Sequence, residues 1–202
     1  MPISQVDIVN KALVYLGISE GISSMSESTT KAQTASLIYD STLDEVLREH
    51  AWGFANVVTT LALLADEVAA GGGWGYLYAY PSQCVRIRRL YSETASTHPT
   101  GVEFEEMLSP TTGSRAVAAN ITPAYASYTY RVKDPNGYDP KFIEVLSLKL
   151  AAVLAPTLTG VNRDDILNKY LLSISEAKRQ DSNERKVDRT IDEVSTYISA
   201  RA

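Results

Sequence analysis

Apolar positions along the chain repeat with two different periods, and the change of period divides it into segments. From Gln5 to Leu16 the apolar residues Ile8, Ala12 and Leu16 share one helical face; Ser4 stands where an N-cap belongs, Asp7 lies in the first turn, and Gly17 follows as a stop. A polar serine-rich loop leads to a second helix over 30–50, whose stripe Ala32, Ala35, Tyr39, Leu43, Val46, Leu47 keeps the 3.6-residue period throughout.

After Trp52-Gly53 the period shortens. Asn56 to Leu64 is rich in β-branched residues and reads as a strand, with a helical alternative left open. Further strands are expected at Cys84 to Tyr91, Val102 to Met107, Arg115 to Ala119 and Ala126 to Val132. In the first of these Val85 and Ile87 should be buried, with Arg86 and Arg88 opposite. Tyr76 to Tyr80 reads as an aromatic approach to a turn at Pro81. The turns at 97–101, 109–113 and 134–137 are signalled by proline and glycine, and Ala69 to Gly75, with three successive glycines, must be a loop. That loop is no phosphate cradle, because no Gly-Lys-Ser/Thr follows it.

The helical period then returns. Asp139-Pro140 opens a helix over 141–155 that is apolar on nearly every side and should be the central buried one; Pro156 ends or kinks it. A fourth helix, 163–180, capped by Asn162 or Asp164, carries the stripe Ile166, Tyr170, Ile174, Ala177. The expected architecture is therefore α+β: about four helices, an inserted β region over 56–132 with a small, mainly antiparallel sheet, and one domain over 1–183. A C-terminal helical tail follows over 184–202. In it Val187, Ile191, Val194 and Ile198 form a narrow apolar stripe flanked by Arg185, Lys186 and Arg189. Alone in water so short a helix is marginal, and it needs a surface to lie against.

Two stretches carry the most information: Leu47-Arg-Glu-His-Ala-Trp-Gly-Phe-Ala55, closing the second helix, and Tyr76-Leu-Tyr-Ala-Tyr-Pro-Ser-Gln-Cys-Val-Arg-Ile-Arg-Arg-Leu-Tyr91. With the short first helix and the late helix Leu148 to Gly160, their order resembles the tail tubular protein A family, the head-to-tail adaptors of short-tailed bacteriophages, over roughly residues 4–183. The resemblance implies a ring, twelve-fold in that family, between a portal protein and a tail nozzle protein, with DNA passing through and not held. It implies a virion protein, present in the host cytoplasm during assembly. The helical part would pack beside its neighbour while the sheet faces the nozzle. The tail residues Val187, Ile191, Val194 and Ile198, with Arg185 and Arg189, would dock on the portal.

Charge modifies this only slightly. The net charge of −5 hides an acidic N-terminal part: residues 1–80 hold nine acids against Lys11, Lys31 and Arg48. Glu20, Glu27, Asp40, Asp44, Glu45 and Glu49 are candidates for a channel lining that repels phosphate. Arg86, Arg88 and Arg89 are the one basic cluster, read as a strand face or subunit contact in preference to a grip on DNA. The longest uninterrupted apolar runs fall far short of the ~20 residues needed to cross a bilayer, and Met1 to Asp7 has no basic start of a signal peptide.

Candidate chemistry is thin. The two imidazoles are His50 and His98, Glu105 and Glu106 alternate across a strand, and the lone Cys84 reads as a half-buried structural thiol. No cofactor, metal or catalytic residue is expected. The alternatives to an adaptor are a peptidoglycan-degrading tail component and a cytoplasmic protein-binding helical module.

Overall fold

In the computed structural model, residues 2–65, 73–92, 101–160 and 163–184 are described. The fold is α+β, as the alternation of periods predicts. It divides into two compact units, Met1–Tyr39 with Tyr138–Ala202, and Asp40–Gly137. Most of the triple-glycine loop, the turn before Gly101, Asn162 and the tail stripe with Arg185 and Arg189 lie outside the described residues.

The first unit is helical. Its opening helix α1, Gln5–Tyr15, starts with a reciprocal cap: Ser4 Oγ accepts from the Asp7 N–H at 3.2 Å while Asp7 Oδ2 accepts from the Ser4 N–H at 2.8 Å. These bonds hold the Asp7 carboxyl below the usual carboxylate range. At its far end Gly17 has φ +78° and the Ile18 N–H reaches Leu13 O at 3.0 Å, a Schellman closure that only glycine enters without strain. Helix α2, Thr30–Glu49, begins in this unit and continues into the next.

Helix α3, Pro140–Thr159, is capped by Asp139, whose side chain accepts from the Lys141 N–H at 2.8 Å. Both α1 and α4 pack on it, and Phe142, Leu146, Leu150 and Leu154 are fully buried. The sequence pattern ended or kinked this helix at Pro156, but it runs one turn further. The last turn is held by Thr159 Oγ1 on Ala155 O (2.8 Å) and by the Gly160 N–H on Pro156 O (3.1 Å) before Gly160 turns left-handed. By length and composition α3 is also apolar enough to cross a membrane, half of its apolar window being buried. Short runs understate it, because Glu144 and Lys149 interrupt the run without breaking the apolar faces.

Helix α4, Asp164–Glu184, buries Ile166, Tyr170, Ile174 and Ala177, the stripe its period predicts, and ends four residues later than expected. Asp164 is its first helical residue and not its cap. Arg163 O accepts the first amides, and the Arg163 guanidinium pairs with Asp165 at 2.9 and 3.0 Å.

The second unit holds the strands, as two three-stranded antiparallel sheets where one was expected. The first orders β1 (Asn56–Thr60), β6 (Tyr125–Tyr130) and β3 (Cys84–Tyr91); the second orders β2 (Tyr76–Ala79), β5 (Arg115–Ala119) and β4 (Phe104–Leu108). The chain beyond β1 crosses to the second sheet, where the Leu64 N–H binds Leu77 O and the Ala79 N–H binds Ala62 O, both at 2.8 Å. At the other seam the Val102 N–H binds Leu90 O at 2.9 Å. Isolated bridges, Leu63 to Tyr78 and Leu90 to Val102, thus link the two sheets. The core between the sheets is Leu61, Tyr78, Ile87, Leu90, Val117, Ala119, Ala124, Ala126 and Tyr128.

Strand β2 was missed by the period because four residues are too few to establish one. The Asn56 to Leu64 strand is confirmed in outline but splits between the two sheets. In β3 bulges between Cys84 and Arg86, and between Ile87 and Arg89, break the simple alternation: Val85 is only half-buried, while Leu90 and Tyr91 are both buried.

Candidate functional site

The two stretches that carry the sequence resemblance are brought together in the second unit. Helix α2 ends at Glu49, where its last carbonyls lack intrahelical partners and carry the negative end of the helix dipole. Arg88, re-aimed by the β3 bulge, fills that position. Its Nη2 donates to the carbonyls of Leu47 (3.1 Å), Arg48 (3.0 Å) and His50, while its Nε donates to Thr129 Oγ1 at 2.8 Å, which explains a threonine buried inside β6. The extended guanidinium serves both sides at once, Nη2 meeting the helix carbonyls while Nε meets Thr129, which a single ammonium nitrogen could not span. The reach is reciprocal: Arg48 Nη1 donates to Val85 O at 3.0 Å.

Beyond the helix end, buried Trp52 donates from Nε1 to Val46 O at 3.0 Å, His50 stacks edge-on against it at 5.0 Å, and Phe54 lies at 6.3 Å. Trp52 and Phe54 therefore form an aromatic cluster just past the helix end, and His50 abuts it. A further clasp comes from the chain leaving β6, where Arg131 Nε pairs with Asp44 Oδ1 at 2.6 Å and Nη2 lies 3.7 Å from Asp40.

Beside this joint is an open concavity of about 620 Å³. Ser41, Asp44, Glu45 and Arg48 of α2 form one wall, and Gln83, Cys84, Val85, Arg115 and Arg131 the other. Arg115 lies 3.7 Å over the Tyr80 ring and pairs with Glu106 at 2.8 Å. Burial pushes the Cys84 thiol up from its ordinary range, against the hydrogen bond from Tyr80 and the nearby Arg115; burial and the Cys84 contact push the Tyr80 phenol up as well.

The residues singled out from the sequence now have definite places. Glu105 accepts from Trp74 Nε1 at 2.8 Å while Glu106 holds Arg115, so the neighbouring carboxylates serve different partners on opposite sides of β4. Among the six candidate lining acids, Asp40 and Asp44 are committed to Arg131 and Glu20 meets Lys31 at 3.3 Å. Glu27 accepts from the Ser23 amide and hydroxyl, which hold its carboxyl low. Of the basic cluster, Arg86 and Arg89 are exposed and Arg88 is drawn onto the helix end. Among the described residues no three His, Cys, Asp or Glu side chains converge as a metal site would require. The portal-docking candidates Val187, Ile191, Val194, Ile198, Arg185 and Arg189 lie outside the described residues.

The Arg131 clasp and the Arg88 position were not foreseen, since partners 38 to 91 residues apart leave no local pattern. The arrangement defines an α+β protein whose marked stretches form a joint between a helix end and a three-stranded antiparallel sheet. No protein-family model matches the chain, and no curated protein does.

Proposed function

We propose that this chain is a subunit of a head-to-tail adaptor ring, joining a portal protein to a tail nozzle protein in a short-tailed bacteriophage and forming part of the DNA ejection channel. The observation that supports the reading is the joint itself. The stretches on which the sequence resemblance rests are engaged with each other through Arg88 and Arg48, so their residues serve architecture. In this reading the helical unit packs beside its neighbour, the stranded unit faces the nozzle, and the segment from Val187 to Ile198 docks on the portal. A cyclic contact is heterologous, so two different surfaces of one subunit must match.

Electron micrographs of portal mixed with this protein test the proposal. The expected result is portal particles carrying one added ring, twelve-fold; particles without it count against the adaptor. The peptidoglycan-degrading alternative is tested separately, by zymography with His50→Ala and Glu106→Ala. Clearing that is lost with one carboxylate change while the fold persists would favour an enzyme.

A further inference from the structure

β1 and β3 are outermost in the first sheet, β2 and β4 in the second, and three of these edges are guarded. β3 is bulged twice and its Val85 carbonyl is taken by Arg48; β4 carries exposed Glu105 and Glu106; the edge of β2 is taken by the backbone of Ala62 and Leu64. Among the described residues β1 has none of these protections. Its register with β6 is unbroken, its five residues Asn-Val-Val-Thr-Thr hold no charge and no proline, and Val58 is 48% exposed. Native sheets avoid leaving such an edge to solvent, because its row of bare amides and carbonyls is a template for another strand.

The ladder fixes which groups are bare. Since the Leu61 N–H reaches Ala124 O at 2.8 Å, Val57, Thr59 and Leu61 turn their backbone toward β6, and Asn56, Val58 and Thr60 turn theirs outward. Ala62 continues the outward series, and its carbonyl is met by the Ala79 N–H, so the edge is open from Thr60 back to Asn56. At that end the Asn56 N–H is already given to Gly53 O. What remains is the N–H and C=O of Val58, the N–H of Thr60 with a carbonyl that meets the Thr59 hydroxyl at 3.5 Å, and the carbonyl of Asn56. Beside Thr60 a cleft of about 300 Å³, lined by residues 59–62, 79–82 and Tyr128, has no charged side chain to turn a strand away.

This edge fits its own image. Turned antiparallel about Val58, a second β1 sets Val58 against Val58 and Thr60 against Asn56. Each Val58 N–H then meets the other Val58 carbonyl, and each Thr60 N–H meets the other Asn56 carbonyl, the acceptor whose own N–H is already engaged. The side chains match as well, since opposite residues of paired strands share a face. Two exposed valines meet across the axis, and the Asn56 amide, whose Oδ1 accepts from Ser127 Oγ at 2.8 Å, has its Nδ2 for the Thr60 hydroxyl. With no charge on either strand, nothing repels.

We propose that the β1 edges of two copies pair antiparallel about Val58, so that the free protein forms a two-fold dimer in which two three-stranded sheets become one. The contact is isologous and does not rest on the adaptor reading, whose ring contact is heterologous. Five residues a side make a small interface, so the dimer should depend on concentration.

Sedimentation of the free protein over a concentration series, with amide exchange followed by NMR, tests the proposal. The expected result is a monomer–dimer equilibrium in which the amides of Val58 and Thr60 gain protection as concentration rises, while those of Val57 and Thr59 stay as they were. Val58→Lys or Val58→Glu, each setting like charges across the axis, should weaken the dimer at least roughly tenfold and leave the melting temperature within roughly 2 °C. Mixing the two variants should restore association. A protein that stays monomeric throughout, a dimer that Val58→Lys leaves intact, or a mixture of the variants that fails to associate overturns the proposal. None of these results touches the adaptor reading, which is decided by rings formed with portal.

Discussion

The helical unit and the stranded unit are held together by different kinds of contact. In the first, α1 and α4 lay apolar stripes on α3 and the caps are local, as between Ser4 and Asp7, while a longer polar reach is a side-chain amide, Asn10, clasping the Ile22 backbone twelve residues on. In the second, the short strands enclose a small core, and the end of α2 is fastened by arginines reaching across 37 to 91 residues of sequence. Burial of a stripe is non-directional and tolerates shape changes, whereas three carbonyls meeting one guanidinium do not. Substitutions should therefore separate the two units by kind.

The largest expected effect is the one proposed for the C-terminal tail. Ile191→Asp with Ile198→Asp should abolish portal binding in a pull-down, since each buried isoleucine contributes roughly 1.5–3 kcal/mol, and should leave the melting of both units unchanged. Portal binding that survives the double change removes the tail from the contact. Next comes Leu150→Ala in fully buried α3, expected to cost about 2–5 kcal/mol in denaturant titration, as large-to-small changes in packed cores do.

Arg88→Ala should cost about 3 kcal/mol, by the loss of charge-assisted bonds and the exposure of bare carbonyls. Arg88→Lys should restore only part of it, because one ammonium nitrogen cannot meet both the helix carbonyls and Thr129. Full rescue by lysine would mean that charge alone matters at the helix end and would erase the contrast between directional and non-directional contacts. Hydrogen exchange should register the loss at Leu47 to His50 and not in α1.

Acid and alkali should act on different groups. Cys84 and Tyr80 titrate above their ordinary values of 9.0 and 10.0, so their contribution is full below those values and declines as pH rises through them. Alkaline melting should thus loosen the packing around Cys84 and Tyr80, and Cys84→Ser should remove the part of the decline that begins near pH 9. Asp7, with its carboxyl held low, has the opposite sign: its cap is present above the ordinary carboxylate value of 3.8 and is lost as pH falls. The smallest effect is Ser4→Ala, about 1 kcal/mol, confined to α1.

What could be known from the chain alone was whatever is decided within a few residues. The helix starts at Ser4 and Asp139, the stop at Gly17, the α4 stripe and the turn at Ser109 to Gly113 all follow from periods and caps, which are local physics. Where an end depended on a neighbouring turn, as at Pro156, the local rule fell short by four residues. The split of the strands into two sheets, the four-residue β2, the burial of Thr129 and the turning of Arg88 from a strand face onto a helix end belong to the tertiary structure alone. Each is settled by a partner far away in sequence, whose carbonyl or hydroxyl gives a guanidinium or an edge strand its direction only once the chain has closed around it.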